Sequence, residues 1–182
     1  MKIKTFLLLL ITTCLITYAN AQESKKVLIV YFSHSGNTEA VANHIQRVTN
    51  ADIFEIQTVE AYPQEYKKCT EQAKKEINEG YKPELKTKID NIASYDIIFV
   101  GSPNWWSTIA PPVSSFLSEY DLSGKIVVPF VTHGGGDKAN CFDDMEKLCS
   151  KSTFKEGIAI LGTRVAGMQK DVEVWAKKIM TE

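Results

Sequence analysis

Three clusters of residues in this 182-residue chain carry hydrogen-bonding or aromatic chemistry suited to a small ligand. The first is Ser33-His34-Ser35-Gly36-Asn37-Thr38, which follows the apolar run Ile29-Val30-Tyr31-Phe32 and precedes a helical pattern. Every member except Gly36 offers a side-chain hydrogen-bond group. Glycine lets the backbone turn tightly, so that loop amides and the free N–H groups of a helix start converge on one point. An anion fits such a cradle. Nucleotide-triphosphate loops place a lysine beside the phosphates, but no Lys or Arg occurs between Val27 and Gln46. A phosphate here would be held by neutral donors and the helix dipole. By residue type alone, the same stretch also fits an ordinary Ser/Thr helix cap.

The second cluster is Gly101-Ser102-Pro103-Asn104-Trp105-Trp106-Ser107, where two adjacent tryptophans follow a proline in what reads as irregular chain. Neighbouring side chains diverge in any regular element, so both indoles cannot be ordinary core residues. At least one lines a surface or pocket and offers a flat face for stacking. The alternative is that both pack under the helix opened by Pro111-Pro112. The third cluster, Thr132-His133-Gly134-Gly135-Gly136-Asp137, removes side chains where a planar ligand must approach the backbone, or else is a flexible turn. His-Gly-Gly-Gly also occurs in esterase oxyanion loops, but the Gly-x-Ser-x-Gly elbow of those enzymes is missing, which excludes a serine hydrolase. His34, His44 and His133 share no metal-ligand spacing with one another or with the cysteines, so no metal centre is expected. Arg164, in the glycine-flanked loop 162–167, reads as solvated or as facing an anion.

Positioning these loops requires a scaffold that ends several strands at one edge. Continuous apolar runs at 27–32, 97–100, 126–131 and 158–161, with a weaker one at 53–56, read as buried parallel strands. Between them lie stripes of helical spacing: Val41, Ile45 and Val48; Tyr66, Cys69, Ala73 and Ile77; Val113, Phe116, Leu117 and Tyr120; Phe142, Met145 and Leu148; Val172, Trp175 and Ile179. Five strands alternating with five helices predict an α/β fold: a three-layer α/β/α sandwich around a five-stranded parallel sheet, of strand order 2-1-3-4-5. In that order a crevice opens beyond the carboxyl ends of the first and third strands. Pro129 resists the scheme, because an interior strand needs its N–H; a bulge or an unpaired position is expected there.

The segment from Ile29 through Thr38 and on to Ala42 and Ile45 resembles the N-terminal signature of the flavodoxin family. Ser102 to Trp106, the following Ile109-Ala110-Pro111-Pro112, Pro129 to Gly135, and a helical insert from Tyr62 to Glu79 are similar to a bacterial short-chain flavodoxin subfamily. The resemblance spans essentially all of the chain from Lys26 onward. It implies a flavodoxin-like fold and non-covalently bound flavin mononucleotide, FMN. Ser33, Ser35, Gly36, Asn37 and Thr38 would hold the phosphate, with His34 at a variable place in the same loop. Ser102, Pro103, Asn104, Trp105 and Trp106 would meet the ring and ribityl chain, and Thr132, His133, Gly134 and Gly135 the other side of the ring.

Residues 1–21 combine Lys2 and Lys4, an apolar run from Phe6 to Ile16, and Ala19-Asn20-Ala21 in the pattern of a cleavage site. This reads as a secretory signal peptide, since the apolar run is well short of the roughly 20 residues that span a membrane. Export to the periplasm or the medium is expected, with no stable membrane insertion after cleavage. Residues 22–182 then form one domain of ordinary size. The chain's 21 basic residues lose Lys2 and Lys4 with the leader and stand against 22 acidic ones, a mild negative balance that argues against nucleic-acid binding. Cys69, Cys141 and Cys149 have no C-x-x-C spacing and read as buried free thiols.

The expected function is electron transfer through bound FMN, with no side chain acting as a covalent catalyst, toward a redox partner protein or a small quinone-type acceptor. A small NAD(P)H- or quinol-linked oxidoreductase is the alternative, because the mild charge suits an enzyme as well as a carrier. A relative that has lost FMN and acts as an interaction module is the third reading.

Overall fold

The apolar runs do form the central sheet. The structure, a computed structural model, describes residues 25–86 and 88–182, so the expected leader at 1–21 lies outside the described residues. Strand β1 (Val27–Tyr31) is buried along its whole length, as a strand covered on both faces must be. It pairs in parallel with β2 (Asp52–Glu55) on one side and with β3 (Ile97–Trp105) on the other. Beyond β3 lie β5 (Ile126–His133) and then β6 (Thr153–Phe154) and β7 (Ile158–Leu161), which share the far edge. A short β4 (Thr108–Ile109) turns back antiparallel on the end of β3.

Alternation along the strands divides the core into two. Leu28, Val30, Ile98, Val100, Val127 and Val131 point to one face, where they meet Cys69 of α2 (Tyr66–Glu79), Val113 and Phe116 of α3 (Pro111–Glu119), and Met145 of α4 (Cys141–Leu148). Ile29, Phe99, Val128 and Phe130 point to the other, onto Val41 and Ile45 of α1 (Asn37–Thr49) and Val172, Ala176 and Ile179 of α5 (Gln169–Thr181). The result is the expected three-layer sandwich, with helices on both faces of a mainly parallel sheet. No helix among the described residues is long and apolar enough to cross a membrane.

Three details depart from the expected strands. The fifth strand is split, and the gap answers the question posed by Pro129. β6 pairs with β5 only at Ile126 and Val127, pairing resumes at Phe130 with Ile158, and the chain between bypasses Pro129. Gly157 makes the bypass possible, since a Cβ there would lie 2.6 Å from the Pro129 carbonyl oxygen and 2.7 Å from the Phe142 ring. The third strand runs on to Trp105, so the second chemical cluster is regular chain up to its first tryptophan. Likewise β5 continues to His133, and only the glycines leave the sheet.

Candidate functional site

The loop between β1 and α1 has the form of an anion cradle. Gly36 takes φ 82°, a left-handed conformation that a side chain disfavours, and its carbonyl accepts the Ala40 N–H at 3.0 Å. None of the backbone amides from Ser33 through Glu39 donates to another described residue, so the loop and the first turn of α1 present a run of free donors. Ser33 Oγ is buried without a hydrogen-bond partner among the described residues. Asn37 Nδ2 donates to Ser35 Oγ at 3.2 Å, and His34 Nε2–H donates to the Pro63 carbonyl at 3.0 Å, which ties the loop to the segment leading into α2. A buried polar atom and a fan of amides with no internal acceptor suit a phosphate monoester.

The tryptophans diverge where β3 ends, Trp105 closing the strand and Trp106 opening the turn. Trp105 is half-buried and meets Phe32 and Tyr62 edge-on, with ring centroids 5.5 and 5.1 Å away. Trp106 and Ser107 are the two central residues of the β3–β4 hairpin, at φ 54° and 69°. Both positive values are what a tight two-residue turn demands, but Asn-Gly is the usual solution and a tryptophan there is strained. Neighbouring groups fix the turn. Asn104 Oδ1 accepts the Ser107 N–H at 3.0 Å, the Ser107 carbonyl accepts the Asn140 N–H at 3.1 Å, and Trp106 Nε1–H donates to the Thr70 carbonyl on α2 at 3.0 Å. Lys74 stands over the Trp106 ring at 4.5 Å from its centroid.

Asn104 also reaches the glycine loop, where its Nδ2 donates to the Asp137 carbonyl at 2.8 Å. Within that loop His133 Nδ1 accepts the Gly135 and Asp137 amides at 3.2 and 3.1 Å, which leaves the ring proton on Nε2 in the neutral imidazole. The phosphate loop and β5 are joined below the surface by the hydroxyls of Thr38 and Thr132. Between these loops lies a cleft of about 530 Å³, within the range of small-ligand sites. Ser35, Trp106 and Gly134, each from a different loop, all line it.

A flavodoxin family model matches residues 26–179. The chain belongs to the flavodoxin family. Among solved structures, a flavoprotein from Lactobacillus acidophilus NCFM in complex with FMN is 26% identical, with 79% of this chain and 97% of that one covered and a TM-score of 0.65. A provisionally named flavoprotein from Bacteroides eggerthii is also 26% identical, over 81% of this chain and 98% of that one, at a TM-score of 0.69. A flavodoxin from Megasphaera elsdenii, at 24% identity and a TM-score of 0.53, covers 84% of this chain and 99% of its own and shares the fold. A search among curated proteins finds no match.

In this flavodoxin-family chain most of the expected ligand residues gather at the cleft. His34, Ser35, Asn37, Pro103, Asn104, Trp105, Trp106, Thr132, His133 and Gly134 line it. Gly36 shapes the loop, and Thr38 and Ser33 are turned inward beneath it. Two residues have other work. Ser102 is wholly buried, and its Oγ donates to the Pro103 carbonyl and accepts the Ala110 N–H, fastening the start of α3 to β3. Gly135, at φ 140°, spends its amide on His133.

Sequence reasoning missed two walls. Leu161 at the end of β7, with Gly162 and Thr163 after it, closes the cleft beside Asn37; a Cβ on Gly162 would come 2.8 Å from Asn37 Nδ2. Tyr66, Cys69, Thr70 and Ala73 of α2 form the other wall. The stripe 66, 69, 73 was visible as helical spacing, but spacing alone does not distinguish a core from a cleft. Helix α2 is held by a buried carboxylate: Tyr62 Oη donates to Glu76, whose other oxygen accepts Gln72 Nε2–H at 2.8 Å. Burial, then the Glu76 carboxylate, push the Tyr62 phenol far above its usual range, so it stays protonated.

Proposed function

We propose that this chain is an FMN-binding redox flavoprotein that exchanges electrons through the bound cofactor. The observation that carries the reading is the meeting of Ser35, Trp106 and Gly134 at one cleft, next to a run of free amides with no cationic side chain. The 26%-identical flavoprotein solved with FMN supports it. Ser33 to Thr38 would bind the phosphate through backbone N–H groups and hydroxyls, and the Trp105–Trp106 and Gly134 walls would hold the ring and keep water from its faces. FMN, when bound, supplies one- or two-electron chemistry. Because the residues in the cleft hold no activated nucleophile, their work is binding, orientation and exclusion of solvent.

The leader pattern at 1–21 supports a periplasmic or secreted location, and a redox protein or small quinone-type molecule there is the proposed partner. Titration of the purified protein into FMN tests the cofactor: quenching of flavin fluorescence with saturation at one equivalent is expected. A colourless protein that leaves free FMN fluorescent would overturn the redox reading in favour of an interaction module. N-terminal sequencing of protein recovered from the envelope fraction tests the location, with cleavage after Ala21 expected.

A further inference from the structure

The glycine loop after β5 is held in shape by one side chain, and that side chain can gain a proton. We propose that His133 is the positioning residue of this loop: its neutral ring sets the loop in the form that meets the ligand, and protonation releases the loop, so that the cleft loses its grip on FMN in acid. The inference rests on the FMN reading and deepens it.

His133 closes β5, and its side chain is only 12% exposed. A single atom, Nδ1, accepts both the Gly135 and the Asp137 amides. The Gly134 and Gly136 amides donate to no other described residue. The ring therefore engages alternate N–H groups of the loop and leaves the other two for a ligand with acceptors at its edge. Asp137 and Ala139 take φ 52° and 44°, values that a side chain disfavours, so the loop needs outside bonds to keep this shape. Asn104 carries the constraint to the opposite wall. Its Nδ2 donates to the Asp137 carbonyl, and its Oδ1 accepts the Ser107 N–H in the turn that bears Trp106. Both walls thus depend on where Asp137 is held, and His133 holds it.

A proton on Nδ1 reverses the interaction. An imidazolium donates from both nitrogens and accepts at neither, so Nδ1 would oppose two N–H groups, donor against donors. Histidine takes up its proton as pH falls from about 8 to about 5.

Few groups around the ring can offset this. Asp137 Oδ1 lies 3.9 Å from Nε2, and that carboxylate favours charge on the ring. It acts at the far nitrogen and gives the two amides no acceptor. Across the cleft stand His34 from the β1–α1 loop, and Tyr66 and Cys69 from α2, whose Lys74 lies over the Trp106 ring. The end of β3 brings Pro103, Asn104 and Trp105, and the segment that ends β7 brings Leu161, Gly162 and Thr163, none of them charged. His34 is no rival sensor, because it donates through Nε2 to the Pro63 carbonyl, a bond that protonation keeps.

Fluorescence titration with FMN from about pH 8 to about pH 5, on the wild type, His133→Asn and His133→Phe, tests the proposal. Asparagine puts an oxygen acceptor in the place of Nδ1 and does not titrate, whereas phenylalanine keeps the ring and loses the acceptor. The FMN phosphate titrates alike in all three, so affinities are compared as ratios to His133→Asn. The wild type should match that variant at the alkaline end and weaken relative to it by about tenfold or more at the acid end, an ordinary size for coupling between two sites. His133→Phe should bind weakly throughout, with a flat ratio, and His34→Gln should keep the dependence on pH. NMR of the FMN-free protein reads the loop directly: His133 Nδ1 should show the shift of an unprotonated nitrogen at the alkaline end, and the Gly135 and Asp137 amide resonances should move as the ring takes its proton. Parallel curves for wild type and His133→Asn, full affinity in His133→Phe, or amides that stay fixed while the ring titrates would each overturn the proposal. If FMN binds at no pH, the cofactor reading falls, and the NMR alone decides whether His133 positions the loop.

Discussion

Thr38 on α1 and Thr132 on β5 lie 94 positions apart in sequence, yet their hydroxyl oxygens meet at 2.8 Å inside the protein. This bond joins the loop suited to phosphate to the strand that ends in the glycine loop, so it fixes the distance between the two ends of the cleft. Both residues are buried, at 1% and 4% exposure, and water cannot replace either partner. Thr38→Val or Thr132→Val should each cost about 1–3 kcal/mol, the penalty for stranding a buried hydroxyl. The double variant should cost less than the sum, because neither hydroxyl is then left alone. Urea unfolding of the four proteins measures this, and strict additivity would count against the bond.

The two tryptophans should separate in their effects. Trp106 is exposed and packs no core, so Trp106→Ala should weaken FMN binding by roughly 1–3 kcal/mol, by analogy with aromatic stacking on other flat rings, while the fold stays intact. Trp105 packs on Phe32 and Tyr62, so Trp105→Ala should also lower stability by about 3–5 kcal/mol. Fluorescence titration with FMN, set beside thermal unfolding, distinguishes the two. Unchanged FMN affinity in both variants would refute the ring site.

Glu76 has hydrogen-bond partners but no ion-pair partner among the described residues, and Tyr62 is one of those partners. Tyr62→Phe removes a donor from a buried carboxylate and should destabilise by about 1–3 kcal/mol. Glu76→Gln keeps an acceptor for the phenol and should cost less. Denaturant midpoints would show the order, and a reversed order would mean that the carboxylate charge itself matters more than the bond.

The thiols predict an alkaline limit. Burial pushes Cys141 up to about 12 and Cys149 up to about 11, against an ordinary 9.0. A thiol whose folded value is raised keeps its proton in the native state while the unfolded chain loses it. Its contribution is therefore complete below pH 9.0 and is lost as pH climbs toward 11 and 12. Urea midpoints should fall across that window, and less steeply in Cys149→Ala. Native protein at neutral pH should react slowly with iodoacetamide and rapidly in denaturant.

The β-strands and their order were legible because a strand buried on both faces must be apolar at every position, a local requirement that Val27 to Tyr31 and Ile126 to Val131 satisfy in plain view. The phosphate loop was legible for a similar reason: the turn at Gly36 and the donors around it lie within a few residues. Other features depend on partners distant in the chain. Pro129 could be marked as a misfit, but its remedy, a break in the neighbouring strand at Gly157, is a matter of contact. Ser102 has the composition of a ligand residue, and only packing reveals that Ala110 has already claimed its hydroxyl.

By itself the sequence determined the alternation of apolar strand and amphipathic helix, the absence of cationic residues around the first loop, and the three clusters able to meet a phosphate and a flat ring, because these depend on residue type and short-range period. Tertiary structure alone decided that α2 walls the cleft, that Trp105 turns inward while Trp106 sits strained at a hairpin tip against Thr70, and that Thr38 and Thr132 bond across the sheet. Those outcomes arise from which surfaces the chain buries against one another, and burial is a property of the whole fold.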